Sequence, residues 1–494
     1  MTDAGRRLRA TPVQDPRPLV RSVSCWTLGR YSGEMAAAES GPGAGPELAG
    51  RMAGAVRGLL EALLDPNRQV QHAACSALAT FAEAAPAPAL LAQAPLFAEA
   101  MARALQVYGR KNAGNLYDLV ATFIEQAGPL ADAHAAAVLE PLVRRFLATA
   151  VAGPRPDVTL VPLTHCLASV APRYAAQFRP VAGELFARAF QIVVAQLQLQ
   201  QRELQEQQQP PPLQGAAPAG EYDREFVIAE LDFLAALVLV LKEAVGPAVG
   251  PHATSLTEVL LHCCRGDNAD AGVRQSAFGL AGELAAACPG LVLAAPASPE
   301  GWAALVAESL APARLTSAAA MAAAGNACWA FGEMVGQLPA AAVEPCALPL
   351  VERLAPLMGR TSGAGRGLRE NAALATGRLA ARCPDLLAPH LQHFIWNWCS
   401  ALGSLSDGAG KQGAFAGLMG VVRRNPNAAL GGFAVLCEAL GSWQAIEPPE
   451  LAAEVIGVLG EMKAHLEAKG QWGKYLEALR PGVLQKLGRM GLVS

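Results

Sequence analysis

The sequence predicts an all-α protein, a right-handed α-solenoid of about ten two-helix repeats, and three observations carry that reading. Of the 494 residues, 52% are hydrophobic but only 5% aromatic, and Ala and Leu, which favour helix and let helices pack closely, carry the apolar share. Amphipathic stretches of about 15 to 20 residues follow one another, broken by Pro and Gly, with no run of alternating β-branched residues. The third observation is a recurring block, which emerges when stretches are aligned on their terminal prolines.

Along the chain, residues 1–16 read as an unstructured leader: Arg6, Arg7 and Arg9 are present, but no apolar core of a secretory signal. Residues 17–199 read as the first part of the array. Within them, Asp65 to Pro86 is a divergent copy of the block, with Val70-Gln71 at its start, and Gly41 to Pro46 reads as a short loop. Residues 200–220, with Gln207 to Gln209 and Pro210 to Pro212, lack an apolar face and read as an exposed linker between two halves. Residues 221–490 hold the clearest copies. Val273-Arg274 opens a helix that reads Gly282-Glu283-Leu284 and stops at Cys288-Pro289. Leu368-Arg369 opens another that reads Gly377-Arg378-Leu379 and stops at Cys383-Pro384, and Gly332-Glu333-Met334 followed by Pro339 is a third. The period fits HEAT units of roughly 40 to 47 residues, and these segments fit the second helix of each unit.

The net charge of −3 supplies no positive field to draw the chain to nucleic acid or an anionic membrane. Phe233 to Leu241, the longest strongly apolar run, is about half the length a bilayer-spanning helix needs. Eleven cysteines are scattered singly apart from Cys263 and Cys264, without Cys-x-x-Cys spacing, which fits a reducing compartment. Catalytic patterns are missing. Gly408-Ala-Gly-Lys411-Gln412 resembles the end of a phosphate-binding loop, but Leu405 and Gln412 occupy the places of the first Gly and of the Ser or Thr. His390 and His393 have no evident third ligand. No Gly-x-Ser-x-Gly, Asp-x-Asp or His-Glu-x-x-His occurs, so neither an enzyme nor a cofactor is expected.

Binding is the remaining function class. Two positions of the repeat, three residues before its Gly and one after, share a helix face and pair Trp26 with Arg30, Trp329 with Glu333, Leu374 with Arg378, and Gly279 with Glu283. A helical Trp is commonly core, yet a face that also carries Arg30 or Glu333 resists full burial. Second helices line the concave side of a solenoid, so these residues are expected in a groove. Asp118 and Glu125 share one helix face, and Glu83, Asp232 and Glu283 sit on comparable helices. Such a row of carboxylates would steer a basic, extended peptide.

Seven colinear blocks then resemble the transportin family (karyopherin-β2, importin-β superfamily), specifically its carboxyl-terminal, cargo-binding half: RSVSCWTLGRY (21–31), VQHAACSALAT (70–80), KNAGNLYD (111–118), VRQSAFGLAGEL (273–284), NACWAFGE (326–333), ENAALATGRL (370–379) and WNWCSAL (396–402). The resemblance implies an import receptor shuttling between cytoplasm and nucleus. Its cargo would carry a basic proline-tyrosine nuclear localisation signal, and nuclear-pore Phe-Gly repeats are further implied partners. By resemblance, Val23, Trp26 and Arg30 surround the Pro-Tyr dipeptide, and Asp118, Glu83 and Glu125 hold the basic residues. Ile228, Asp232, Glu283, Trp329 and Leu374 match a second contact region, with Asn326 and Asn371 beside it. Glu283 and Glu125 stand where the family has Asp, Leu374 where it has Ile, and Leu239 where it has an acid, which predicts a looser grip in that second region. Family members are about twice as long, and the GTPase Ran binds their amino-terminal repeats. Met1 to Pro16 resembles no such repeat, so Ran is an expected partner only of a chain carrying those repeats.

Overall fold

The computed structural model describes residues 12–40, 46–128, 130, 132–149, 157–207, 221–266, 270–293, 296–360 and 365–492. Among the described residues the chain is helical throughout, with no strand, and it divides into two compact units, Met1–Val249 and Gly250–Ser494.

In the first unit the helices of eight or more residues are α1 (Pro18–Arg30), α2 (Ser32–Ser40), α3 (Pro46–Ala62), α4 (Arg68–Ala84), α5 (Ala87–Val107), α6 (Ala113–Ala127), α7 (Asp132–Ala148), α8 (Leu160–Val170), α9 (Ala182–Gln207) and α10 (Arg224–Leu241). They form two layers. First helices α3, α5, α7 and α9 pack side by side in one; second helices α1, α4, α6, α8 and α10 do so in the other, and each first helix packs on its own second helix. The core lies between the layers, where Phe97 of α5 stacks on Phe123 of α6 with ring centres 4.1 Å apart. Helix starts follow local chemistry: the Asn67 side chain accepts from Gln69 N–H at 2.9 Å, and Asp223 accepts from Glu225 N–H at 3.0 Å.

The second unit repeats the plan with α11 (Ala253–Cys264), α12 (Ala271–Ala287), α13 (Pro299–Ser309), α14 (Ala318–Gln337), α15 (Ala340–Met358), α16 (Arg366–Arg382), α17 (Ile395–Leu402), α18 (Ala409–Arg424), α19 (Phe433–Leu440), α20 (Pro449–Ala468) and α21 (Pro481–Arg489). Second helices α12, α14, α16, α18 and α20 form a continuous layer. The recurrent Gly of the sequence block is what lets them approach. A Cβ on Gly377 of α16 would overlap the Ala414 backbone of α18, and one on Gly282 of α12 would overlap the Trp329 ring of α14. A side-chain ladder adds direction: Asn326 Nδ2 donates to Gln275 O at 2.9 Å, and Asn371 Nδ2 to Gly325 O at 3.0 Å, each amide tying its helix to the preceding second helix. Ten second helices among the described residues agree with the expected HEAT count, and the copies at Cys288-Pro289 and Cys383-Pro384 end where the sequence placed them.

Three expectations about boundaries need correction. Residues 200–207 are helix, not linker, because Gln, Glu, Arg and Leu are all good helix formers and α9 runs to Gln207; residues 208–220 lie outside the described residues. That segment does not separate halves either. It joins α9 to α10, the two helices of a single repeat, which are also stitched together by Tyr222 N–H donating to Glu203 at 2.6 Å and Asp223 N–H to Gln196 at 3.0 Å. The division between the compact units falls after Val249 in the chain instead. The leader is ordered from Pro12, where Pro12–Gln14 forms a 3-10 turn and Val13 is buried; residues 1–11 and the loop at 41–45 lie outside the described residues.

Candidate functional site

Pro18 opens α1, and one stripe of that helix carries Leu19, Val23 and Trp26 at helical spacing. The buried side of the helix carries Cys25 and Gly29, the latter packed so that an added Cβ would lie 2.9 Å from Ala77 Cα of α4. Arg21 clamps the helix to the turn before α4 through its ion pair with Asp65, Nε to Oδ2 2.7 Å. The outward stripe is left in water: Leu19 is 69%, Val23 53% and Trp26 64% exposed. A contiguous apolar strip of this kind is a common mark of a binding surface.

That strip forms one wall of an open cleft of about 1000 Å³ across α1, α4 and the start of α6, whose other walls include Arg68, His72, Lys111 and Asn112. Asn112 is fixed there by Nδ2 donating to Gln71 Oε1 at 2.7 Å and to Arg68 O at 3.3 Å. Arg30 does not share the cleft with Trp26. It lines a separate hollow of about 350 Å³ with Glu83, Glu34 and Thr80. The sequence had grouped Arg30 with Trp26 because four residues keep one helix face; the next turn, however, carries Arg30 beyond Ala77 to the carboxyl end of α4.

The carboxylates of the first unit stand out from the second-helix layer. Asp118 and Glu125 are both exposed on α6, as their spacing of seven predicts. Partial burial raises the Asp118 carboxyl above its ordinary range, and His165 on α8 opposes that rise. Glu125 accepts from the Ser169 hydroxyl of α8, and Arg173 Nη2 donates to its backbone oxygen at 3.2 Å. Glu83 is exposed on α4, Asp232 exposed and Ile228 half-buried on α10. On the inner side of α10, Glu230 is fully buried, accepts from Thr164 Oγ1 at 2.9 Å, and is pushed up to about 8 by desolvation, with Thr164 and Arg188 opposing.

The remaining five expected residues belong to the second unit and are placed differently. Trp329 is half-buried, its ring lying over Gly282. Glu333 forms an ion pair with Arg378 of the next second helix, and Arg378 lies across Gly332. Glu283 is half-buried, its carboxyl raised first by burial and then by the Glu333 charge. Asn326 and Asn371 use their amide N–H groups in the helix ladder, and Leu374 is half-buried against Gly410.

Sequence reasoning missed Leu19, Arg68, His72 and Lys111, which line the Trp26 cleft. Leu19 was readable as the residue four before Val23; Arg68, His72 and Lys111 were not, since they come from α4 and the turn before α6. The phosphate-loop lookalike has another role: Lys411 is buried, pairs with Asp407 at 2.8 Å, donates to Leu405 O at 3.1 Å and sits 4.5 Å from the centre of the Trp443 ring. Among the described residues no group of three His, Cys, Asp or Glu side chains has metal-binding geometry, and no helix is long and apolar enough to cross a membrane. All eleven cysteines are free thiols, ten of them buried. Desolvation pushes Cys75 and Cys328 up to about 12, which keeps them protonated and inert.

No family model matches the chain. It is 33% identical over 484 residues to Transportin-1 of Oryza sativa subsp. japonica, covering 97% of this chain and 50% of that protein. It is 30% identical over 433 residues to Transportin-1 of Homo sapiens, covering 87% and 44% respectively. The chain thus spans about half the length of the curated relatives it matches. Among solved structures, Kap95 in the Kap95:Nup1 complex superposes with a TM-score of 0.61 at 12% identity, over 99% of this chain and 56% of that one, a likeness of fold. With the repeat register, the two-layer packing and this sequence identity in agreement, the chain belongs to the transportin family.

Proposed function

We propose that this chain provides the cargo-binding surface of a nuclear import receptor that grips a basic proline-tyrosine nuclear localisation signal and shuttles between cytoplasm and nucleus. The observation that carries the reading is the exposed strip of Leu19, Val23 and Trp26 beside the outward carboxylates Glu83, Asp118 and Glu125 of the same layer. An aromatic platform anchors the dipeptide, while the carboxylates draw in and orient the basic part. The signal is held extended, because a disordered segment loses entropy on ordering and a row of parallel helices offers contacts along its length. Residues of the second unit, Ile228 and Asp232 of α10 apart, supply the second contact region in this reading: Glu283, Trp329, Leu374, Asn326 and Asn371. Nuclear-pore Phe-Gly repeats are the other partner, and Ran acts only on a chain that carries the further amino-terminal repeats.

The test is fluorescence anisotropy with a labelled basic Pro-Tyr peptide. Micromolar or tighter binding is expected, weakened by added salt and about 30-fold by Trp26→Ala, the effect of truncating a central anchor worth about 2 kcal/mol. An intact protein with no affinity for the peptide would identify instead a HEAT scaffold without import activity.

A further inference from the structure

The Trp26 cleft is lined by basic side chains, whereas the carboxylates Glu83, Asp118 and Glu125 stand elsewhere on α4 and α6. Its lining residues include Arg68, His72 and Lys111 but no carboxylate. Among the described residues neither Arg68 nor Lys111 is paired with an acid, whereas Arg110, next to Lys111, is taken by Asp157 at 3.5 Å. Arg68 is the first residue of α4, where the helix dipole adds to the positive potential. The carboxylates lie further along the same helices. Asp118 follows Lys111 by seven residues, about 10 Å of helix, while Glu83 follows Arg68 by fifteen and Glu125 follows Lys111 by fourteen, both about 21 to 23 Å.

We propose that the peptide held at Trp26 carries an acidic side chain directly beside its hydrophobic anchor, received by Arg68 and Lys111, with its basic residues about three to seven positions away. The inference rests on the cargo-groove reading above and adds a second charge to the ligand. The spacing follows from the geometry: an extended chain covers about 3.3 Å per residue, so roughly three residues reach from the cations to Asp118 and six or seven to Glu83 or Glu125. A uniformly basic peptide would set its own cations against Arg68 and Lys111; one with an acid at the anchor matches both ends of the groove. The Asn112 amide, already committed to Gln71 and Arg68, keeps the start of α6 against α4 and so fixes the separation of the two cations.

The experiment compares two labelled peptides, acetylated and amidated, identical in a basic segment and a Tyr anchor and differing only in Asp or Asn directly after the Tyr. At low salt the Asp peptide is expected to bind about fivefold tighter, the scale of two solvent-exposed ion pairs. The advantage should vanish in Arg68→Gln/Lys111→Gln, in which the two peptides are expected to bind equally. Equal binding of the two peptides to the unaltered protein, or an advantage that survives the double substitution, overturns the inference while leaving the cargo groove intact. A gain seen only when the Asn peptide carries a free terminal carboxylate also overturns it, since the anion received would then be a chain end. Failure of both peptides to bind overturns the groove reading, and this inference with it.

Discussion

Trp26 and Trp329 occupy the same place in their repeats, three residues before the recurrent glycine, yet one is 64% exposed and the other lies flat over Gly282. Trp329 is covered by the preceding second helix. α12 presents Gly282 to Trp329, and a helical side chain leans toward the amino terminus of its own helix and onto the neighbour there. Trp26 of α1 forms one wall of a cleft that opens toward α4 and α6. The charges differ in the same way. Glu333 is spent on Arg378, while among the described residues Asp118 and Glu83 have no cationic side chain in salt-bridge contact. Equivalent positions in a repeat therefore share a location without sharing a role; what each residue does is set by the one it meets on the adjoining helix.

This contrast can be broken most forcefully at the helix approach. Gly377→Val drives a side chain into the Ala414 backbone, so a loss of about 3 kcal/mol is expected in chemical denaturation, with the damage confined to the second unit. Gly33→Ala, on a position with open space around it, should change stability by less than about 0.5 kcal/mol and serves as the control.

The first unit has its own sensitivity, to pH. Glu230 keeps its proton in the folded state up to about pH 8, against an unfolded value near 4.5. Below about 4.5 both states are protonated. Between 4.5 and 8 only the folded state is, so this group's contribution to stability is progressively lost as pH rises, with a limiting slope of about 1.4 kcal/mol per pH unit, and above 8 the loss is complete. Melting of Glu230→Gln measured across that range should be flatter than that of the unaltered protein; parallel curves would show that Glu230 ionises freely in the fold.

Removal of the two tryptophans sharpens the comparison directly. Trp329→Ala strips the cover from Gly282 and is expected to cost about 2 kcal/mol, less than a fully buried Trp because the ring is half-exposed. Trp26→Ala should move the melting temperature hardly at all, within about 0.5 kcal/mol, while weakening peptide binding about 30-fold. A destabilisation by Trp26→Ala equal to that of Trp329→Ala would mean that both rings are structural.

The resemblance to transportins had assigned both tryptophans to cargo, and periodicity alone had placed each on a face with a charge. Periodicity was right about the face and blind to the partner. It placed Asp118 and Glu125 on one helix face, where both are exposed, and it grouped Trp26 with Arg30 in one site when they line two clefts. It also read residues 200–220 as a boundary between halves, because composition reports that a segment cannot be core but not which helices it connects.

What the sequence settled by itself is the class of architecture: the Ala and Leu content, the breaks at Pro and the recurring Gly are local properties, repeated often enough that stacked helix pairs are the arrangement that buries every apolar stripe. The tertiary structure alone decided which equivalent residues are open to a ligand. Exposure depends on the side chain some 45 residues away on the next second helix, as Arg378 is to Glu333, and contacts at that separation leave no trace in the pattern of any single helix.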